Sequence, residues 1–195
     1  MRIGLFGGSF DPVHDAHLAL AQLALDQLQL DELRWVPTGV AWHKLSQPTP
    51  AVHRAAMVEL AIRGEPRFVL ERCELDRPGP SYTLDTVRQL QAEHGGADWV
   101  LIIGFDQYAS LHQWVGWREL LSRVTLAVAG RAGGLPVANE VAAWPCQRLD
   151  LPPMDVSSTE IRQRLVTGLP IDELVPAAVA RYIDLHRLYR GNTGS

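Results

Sequence analysis

Apolar residues recur along this chain in two rhythms, short continuous runs and stripes spaced three and four apart, and the two alternate. Ile3 to Phe6 is a run of the first kind, closed by Gly7-Gly8, and it predicts a short buried strand. The chain then bends through Asp11-Pro12, and a helix is expected from near His14, with apolar positions at helical spacing from Leu18 through Leu28 and Leu30. Leu33 to Pro37 predicts a second strand, and strand, helix, strand in that order implies a right-handed parallel crossover. After a loop from Val40 to Pro50, a helix is expected over Ala51 to Ile62 and a third strand over Arg67 to Leu70. A polar loop at Asp76 to Pro80 leads to a helix through Val87 and Leu90 that Ser81 or Thr83 could cap. Trp99 to Ile103 is the most apolar strand, short helices follow near Gln107 to His112 and Trp117 to Leu121, and Val124 to Val128 makes a fifth strand.

This alternation predicts an α/β fold, a doubly wound parallel sheet. The tail reads differently. Ser157-Ser158-Thr159-Glu160 starts a helix that runs to Gly168, and a last helix spans roughly Pro176 to Leu185. We therefore expect a single domain over 1–195, with an α/β core at 1–150 and a small C-terminal helical cap at 151–190.

Composition narrows the function classes. With 195 residues, 47% of them hydrophobic and 21% charged, the chain can bury one real core. A net charge of −4 leaves no broad basic footprint for nucleic acid, so an anionic ligand must be met by a few local cations. Cys73 and Cys146 form no CxxC, which argues against a disulfide framework or zinc site and fits a reducing cytoplasm. The sequence has no secretory leader pattern and no run approaching a membrane span.

Against that background residues 3–17 carry the first candidate chemistry. A glycine turn that delivers a strand into a helix start is an anion site, because free N–H groups and the helix dipole converge there. His14 and His17, three apart, can share one face of the first turn. The stretch lacks both the GK[ST] ending of a P-loop and the GxGxxG spacing of a dinucleotide fold. Lys44 is the only lysine among eighteen basic residues, and its compact ammonium suits phosphate oxygens. Ser157 to Arg162 offers a second helix start with hydroxyls and a cation one turn on, although Ser157 with Glu160 would also satisfy a plain capping box. Trp117 fits a core position. Trp114 could be core too, or could stack on a flat ring at a ligand rim. Asp106, after the Gly104 turn, could accept ribose hydroxyls or cap the helix behind it.

In order and spacing these pieces, GGSFDPVHDAH at 7–17, HK at 43–44, SYTLDT at 81–86, GFD at 104–106, Trp114, Arg131, SSTEIR at 157–162 and the ending LVPAAVARYIDLHRLY at 174–189, resemble the bacterial nicotinate-nucleotide adenylyltransferases of the HxGH-motif nucleotidyltransferases. The resemblance implies a Rossmann-like nucleotidyltransferase fold and transfer of the adenylyl group of ATP to nicotinate mononucleotide, giving deamido-NAD and pyrophosphate. It implies catalytic roles for His14, His17, Lys44 and Arg162. ATP would be held by Gly7, Gly8, Ser9, Phe10, His14, His17, Gly104, Asp106, Ser157, Ser158, Thr159 and Arg162. The mononucleotide would be held by Lys44, Thr83, Trp114 and Arg131. Mg²⁺ would arrive with ATP, with no metal ligand supplied by the protein, no nucleic-acid or membrane partner is implied, and a homo-oligomer is left open.

Three positions depart from the family pattern. Ala16 stands where the motif has glycine, Ala41-Trp42 where it has two prolines, and Arg131-Ala132-Gly133 where it has RPG. The alternatives are a related adenylyltransferase acting on nicotinamide mononucleotide or phosphopantetheine, and a non-catalytic nucleotide sensor whose site has decayed at Ala16.

Overall fold

The computed structural model describes residues 1–39, 48–130 and 136–190. Six strands form one parallel sheet: β1 (Arg2–Gly8), β2 (Glu32–Pro37), β3 (Phe68–Leu70), β4 (Asp98–Gly104), β5 (Thr125–Ala129) and β6 (Cys146–Leu149). Their order across the sheet is β3-β2-β1-β4-β5-β6, every neighbouring pair parallel. The order reverses between β1 and β4, which opens a crevice at their carboxyl ends, where such sheets bind ligands.

The period-2 alternation of the strands divides the core into two. Phe6, Leu33, Trp35, Val100, Ile102 and Ala127 face one side, while Ile3, Leu5, Val36, Leu101, Ile103 and Val128 face the other. Helix α1 (Asp15–Gln27) and helix α2 (Ala51–Ile62) cover the first face, together with α8 (Ser158–Val166) and α9 (Ala177–Leu185) from the tail. The second face is covered by α4 (Thr83–Glu93), α5 (Phe105–Ser110), a 3-10 turn over Leu111–Gln113, and α6 (Trp117–Arg123). Both sides of every central strand are thus dry, which explains why β4 reads as an unbroken apolar run.

The sheet of the expected fold is present, with boundaries shifted by a residue or two and three elements added. Helices α3 (Cys73–Asp76) and α7 (Asn139–Ala142) are single turns that the sequence pattern does not announce. Strand β6 was likewise not expected, since only Leu149 of its four residues is buried. It is an edge strand held by five-residue neighbour β5 rather than by its own apolar content.

The tail helices join the first core. Ile161 of α8, Ile171, Val175, and Val179 and Ile183 of α9 pack in one cluster with Phe6, Trp35 and Met57. Helix α2 runs beneath α9, and on its inner face Arg54 is 1% exposed.

Candidate active site

The turn between β1 and α1 is where the chain's chemistry gathers. Gly7 and Gly8 do not end the strand, as expected, but belong to it, pairing with Val36 and Pro37 of β2. The sharp backbone falls later, at Phe10, which sits in the left-handed region at φ 47°. For a non-glycine residue that conformation costs about 1–2 kcal/mol. The Phe10 ring, 1% exposed, repays it by filling the space between Phe6, Trp35 and His17, with centroids 5.5, 5.3 and 5.1 Å away. Burying such a ring contributes about 1.5–3 kcal/mol, so packing wins over backbone preference.

His14 is the N-cap of α1 and His17 lies in its first turn. Their rings stack, centroids 3.6 Å apart and planes 28° from parallel. The backbone N–H of His14 donates to His17 Nδ1 at 3.2 Å. Burial lowers the His14 pKa to about 4, and burial together with the His14 ring drives His17 well below its ordinary value. Both imidazoles are therefore neutral at pH 7. His14 Nδ1 is buried without a hydrogen-bond partner among the described residues. Of the first-turn amides, Asp15 N–H is taken by the Leu174 carbonyl at 3.0 Å.

The second helix start meets this turn from across the sequence. Ser158 Oγ donates to the Pro12 carbonyl at 2.9 Å, and Arg162 Nη1 donates to the Asp11 carbonyl at 2.7 Å. Arg162 Nη2 also reaches Thr159 Oγ1 at 3.2 Å. Only half of the expected capping box forms. Ser157 Oγ accepts Glu160 N–H at 3.1 Å, whereas the Glu160 carboxylate turns to Arg164. The N–H groups of Ser158 and Thr159, at the head of α8, are the donors a helix start leaves free. Residues 9–17 and 157–162 thus form one cradle.

On the other side of Gly7-Gly8-Ser9 lies a pocket of about 280 Å³. Its walls are Leu5 from β1, Val36 from β2 with Thr38 just after it, Leu101 and Ile103 from β4, Ser81 to Thr83 at the head of α4, and Gln107, Ser110 and Trp114. Trp114 is half-buried against the second core and lines the pocket, while Trp117 is 6% exposed and belongs to that core. Neither Ser81 nor Thr83 caps α4. The N-cap is Tyr82 and no side chain closes the end, so Thr83 is left to face the pocket. Asp106 does not cap α5 either. That position is Gly104, and Asp106 is exposed in the first turn at the carboxyl end of β4. Lys44 and Arg131 lie outside the described residues.

Several buried polar groups that the motifs do not include brace this site. Arg54 Nη1 and Nε donate to the carbonyls of Ser9 and Thr49, both at 2.9 Å. The signal for it was a charge on the apolar face of an amphipathic helix, beside Ala55, Met57 and Val58. Asp11, 8% exposed, receives Thr49 N–H on Oδ2 at 3.2 Å and the Tyr189 hydroxyl on Oδ1 at 2.6 Å. Glu74 of α3 forms part of the pocket floor and accepts from Thr86 Oγ1 at 2.8 Å. Burial raises its pKa, and the bond from Thr86 opposes that rise.

Comparison with known proteins places this geometry. A cytidylyltransferase-like family model matches residues 5–164. A protein of Methylibium petroleiphilum, curated under the name probable nicotinate-nucleotide adenylyltransferase, is 52% identical over 195 residues, spanning 96% of this chain and 92% of its own. A Bordetella petrii protein of the same name is 45% identical over 196 residues, covering 97% and 99%. Among solved structures, Plasmodium falciparum nicotinic acid mononucleotide adenylyltransferase complexed with NaAD superposes with a TM-score of 0.81 at 20% identity, over 96% of this chain and 97% of that one. The order of its strands, the position of its crevice and these relatives agree: this chain belongs to the cytidylyltransferase-like family, among the nicotinate-nucleotide adenylyltransferases.

Proposed function

We propose that this enzyme transfers the adenylyl group of ATP to nicotinate mononucleotide, releasing pyrophosphate and forming deamido-NAD for NAD biosynthesis. The observation that carries it is the meeting of two helix N-termini, α1 and α8, on the turn at residues 9–12, beside a pocket with an indole on its wall. Two positive dipole ends aimed at one place suit a polyphosphate. The flat-walled pocket next to it suits a pyridine ring, with Trp114 to stack on it and the Thr83 hydroxyl to bond its substituent.

In the reaction an oxygen of the mononucleotide 5′-phosphate forms a bond to the α-phosphorus of ATP. The bond from that phosphorus to the α–β bridging oxygen breaks in line, and its electrons leave on pyrophosphate. The attacking phosphate is already anionic, so no general base is needed and no enzyme-bound intermediate forms. Ser157 and Ser158 are helix-start hydroxyls in this scheme, engaged with Glu160 N–H and the Pro12 carbonyl rather than acting as nucleophiles. The enzyme contributes position and charge stabilisation. His17, with Nδ1 accepting from His14 N–H, carries its neutral proton on Nε2 and donates it to a phosphate oxygen. His14 offers its unpartnered ring edge, Arg162 its fork, and Ser158 and Thr159 their backbone N–H groups. Lys44 and Arg131 are assigned to the mononucleotide phosphate, and Gly104 and Asp106 to the adenosine.

Mg²⁺ enters as part of the MgATP substrate. Among the described residues no group of three or more His, Cys, Asp or Glu side chains converges on one point. No helix among them is long and apolar enough to cross a membrane, and Cys73 and Cys146 are both free thiols. A cytoplasmic location is our reading, and two free thiols suit a reducing compartment. Residues 1–150 act as the nucleotide-binding core and 151–190 as the helical cap that supplies α8.

The test is pyrophosphate release from ATP with nicotinate mononucleotide, nicotinamide mononucleotide or phosphopantetheine as acceptor. Turnover with the first, at least tenfold above the others in kcat/KM, is expected. Preference for another acceptor, or ATP binding with no turnover, overturns the assignment.

A further inference from the structure

The ending of the chain, residues 174–189, touches the phosphate turn at both of its own ends. At one, the Leu174 carbonyl takes Asp15 N–H from the head of α1. At the other, the Tyr189 hydroxyl donates to Asp11 Oδ1 at 2.6 Å. Arg187 and Tyr189 are both in the left-handed region, at φ 51° and 61°, so the backbone doubles back after α9 and delivers the phenol inward. Non-glycine residues hold that conformation only where the surroundings over-determine it. The Tyr189 ring packs against the first core, and burial with the Asp11 bond keeps its hydroxyl protonated well beyond the ordinary phenol range.

Asp11 is the reason this contact matters. Its carbonyl holds Arg162, and its carboxylate is a buried negative charge next to the place assigned to a polyphosphate. Such a carboxylate does harm in two ways if its oxygens lack donors. It repels the incoming anion, and it competes for the Arg162 guanidinium that the anion needs. Tyr189 O–H and Thr49 N–H each occupy one oxygen and so fix the orientation of the carboxylate.

We infer that Tyr189 is a positioning residue of the polyphosphate site, acting through Asp11 to keep the turn at residues 9–12 and Arg162 in register. The inference rests on the adenylyl-transfer site proposed above. It gives the tail motif a task that the transfer chemistry leaves unassigned.

Tyr189→Phe removes one oxygen and keeps the ring. Steady-state kinetics on the full chain, at a temperature where circular dichroism shows the variant folded, should give an apparent KM for ATP raised about tenfold. The KM for the mononucleotide should stay within twofold. A purely structural role would move the melting temperature and leave that split unchanged. A double-mutant cycle reads the route: in an Asp11→Ala background, Tyr189→Phe should have no further effect on the ATP constant. Unchanged ATP kinetics, equal shifts in both Michaelis constants, or independent effects in the cycle overturn the tether. Calorimetric titration with ATP alone separates the two claims. A wild-type chain that fails to transfer, yet loses tenfold in ATP affinity on Tyr189→Phe, sinks the proposed reaction and leaves the tether standing.

Discussion

His17 Nδ1 accepts the backbone N–H of His14, 3.2 Å away, and in the neutral ring this one contact leaves the proton on Nε2. A helix that begins on a histidine spends its first orphan amide on the side chain three residues on, and in return that side chain is locked in one tautomer. The stacked pair is then held neutral by burial, which favours a donor over a cation before ligand arrives.

Removing the outer donor should be costly. His17→Ala is expected to lower kcat/KM by two to three orders of magnitude, about 3–4 kcal/mol of transition-state stabilisation. Far-UV circular dichroism should be unchanged, since alanine favours helix and the rest of α1 keeps its packing. A rate within fivefold of wild type would remove His17 from the phosphate site.

Protonation of this pair should be linked to both stability and binding. The folded His14 has its pKa lowered from 6.5 to about 4, so between those values the unfolded chain binds more protons than the folded one. Stability therefore rises with pH across that window and is lost as pH falls toward 4, with His17 adding in the same sense. A melting temperature that does not fall between pH 6.5 and 4.5, or falls as steeply in His14→Gln, would contradict this. A triphosphate seated beside the rings raises their pKa values, so binding should take up protons near pH 6. Calorimetry in two buffers of different ionisation enthalpy measures that uptake directly.

Trp114 tests the other half of the site. Trp114→Ala should raise the KM for the mononucleotide about tenfold and leave the ATP constant within twofold, because the indole lines the pocket and not the cradle. An effect confined to ATP would show that the pyridine lies elsewhere.

Gly39 offers a stability test at the pocket floor. A Cβ there would fall 2.1 Å from the Glu74 carbonyl oxygen and 2.8 Å from Ser81 Oγ, and a backbone oxygen cannot move aside like a side-chain tip. Gly39→Ala should destabilise the protein by about 1–3 kcal/mol, roughly 2–12 °C in melting temperature. An unshifted melt would mean that the loop after β2 packs differently.

The parts of this fold that the sequence makes legible are those whose neighbours reinforce one another. Strands β1, β2 and β4 are buried on both faces and announce themselves as apolar runs, and helix α2 matches its expected span because Pro50 starts it and an apolar stripe carries it. Strand β6 is illegible because its pattern, Cys146-Gln147-Arg148-Leu149, has one buried residue and takes its place from the ladder with β5. The histidines and the SSTEIR helix start were legible as chemistry. Their meeting on Asp11 and Pro12 could be expected only through the family resemblance, since nothing local in either segment points to the other. Glu74 and Tyr189 act through partners distant in sequence, which leave no local period to detect, and Arg54 shows only as a charge on the apolar stripe of α2.

Phe10 shows where that non-local character leads. A screen that ranked substitutions by local backbone comfort would choose Phe10→Gly first, since glycine relaxes a left-handed torsion. The same change would withdraw the aromatic keel on which His17 rests edge-on, leaving a void under the imidazole. Thermal improvement and the phosphate recognition we propose for His17 are set against each other at this residue. An engineer seeking a hardier version of the enzyme must leave its most contorted side chain alone.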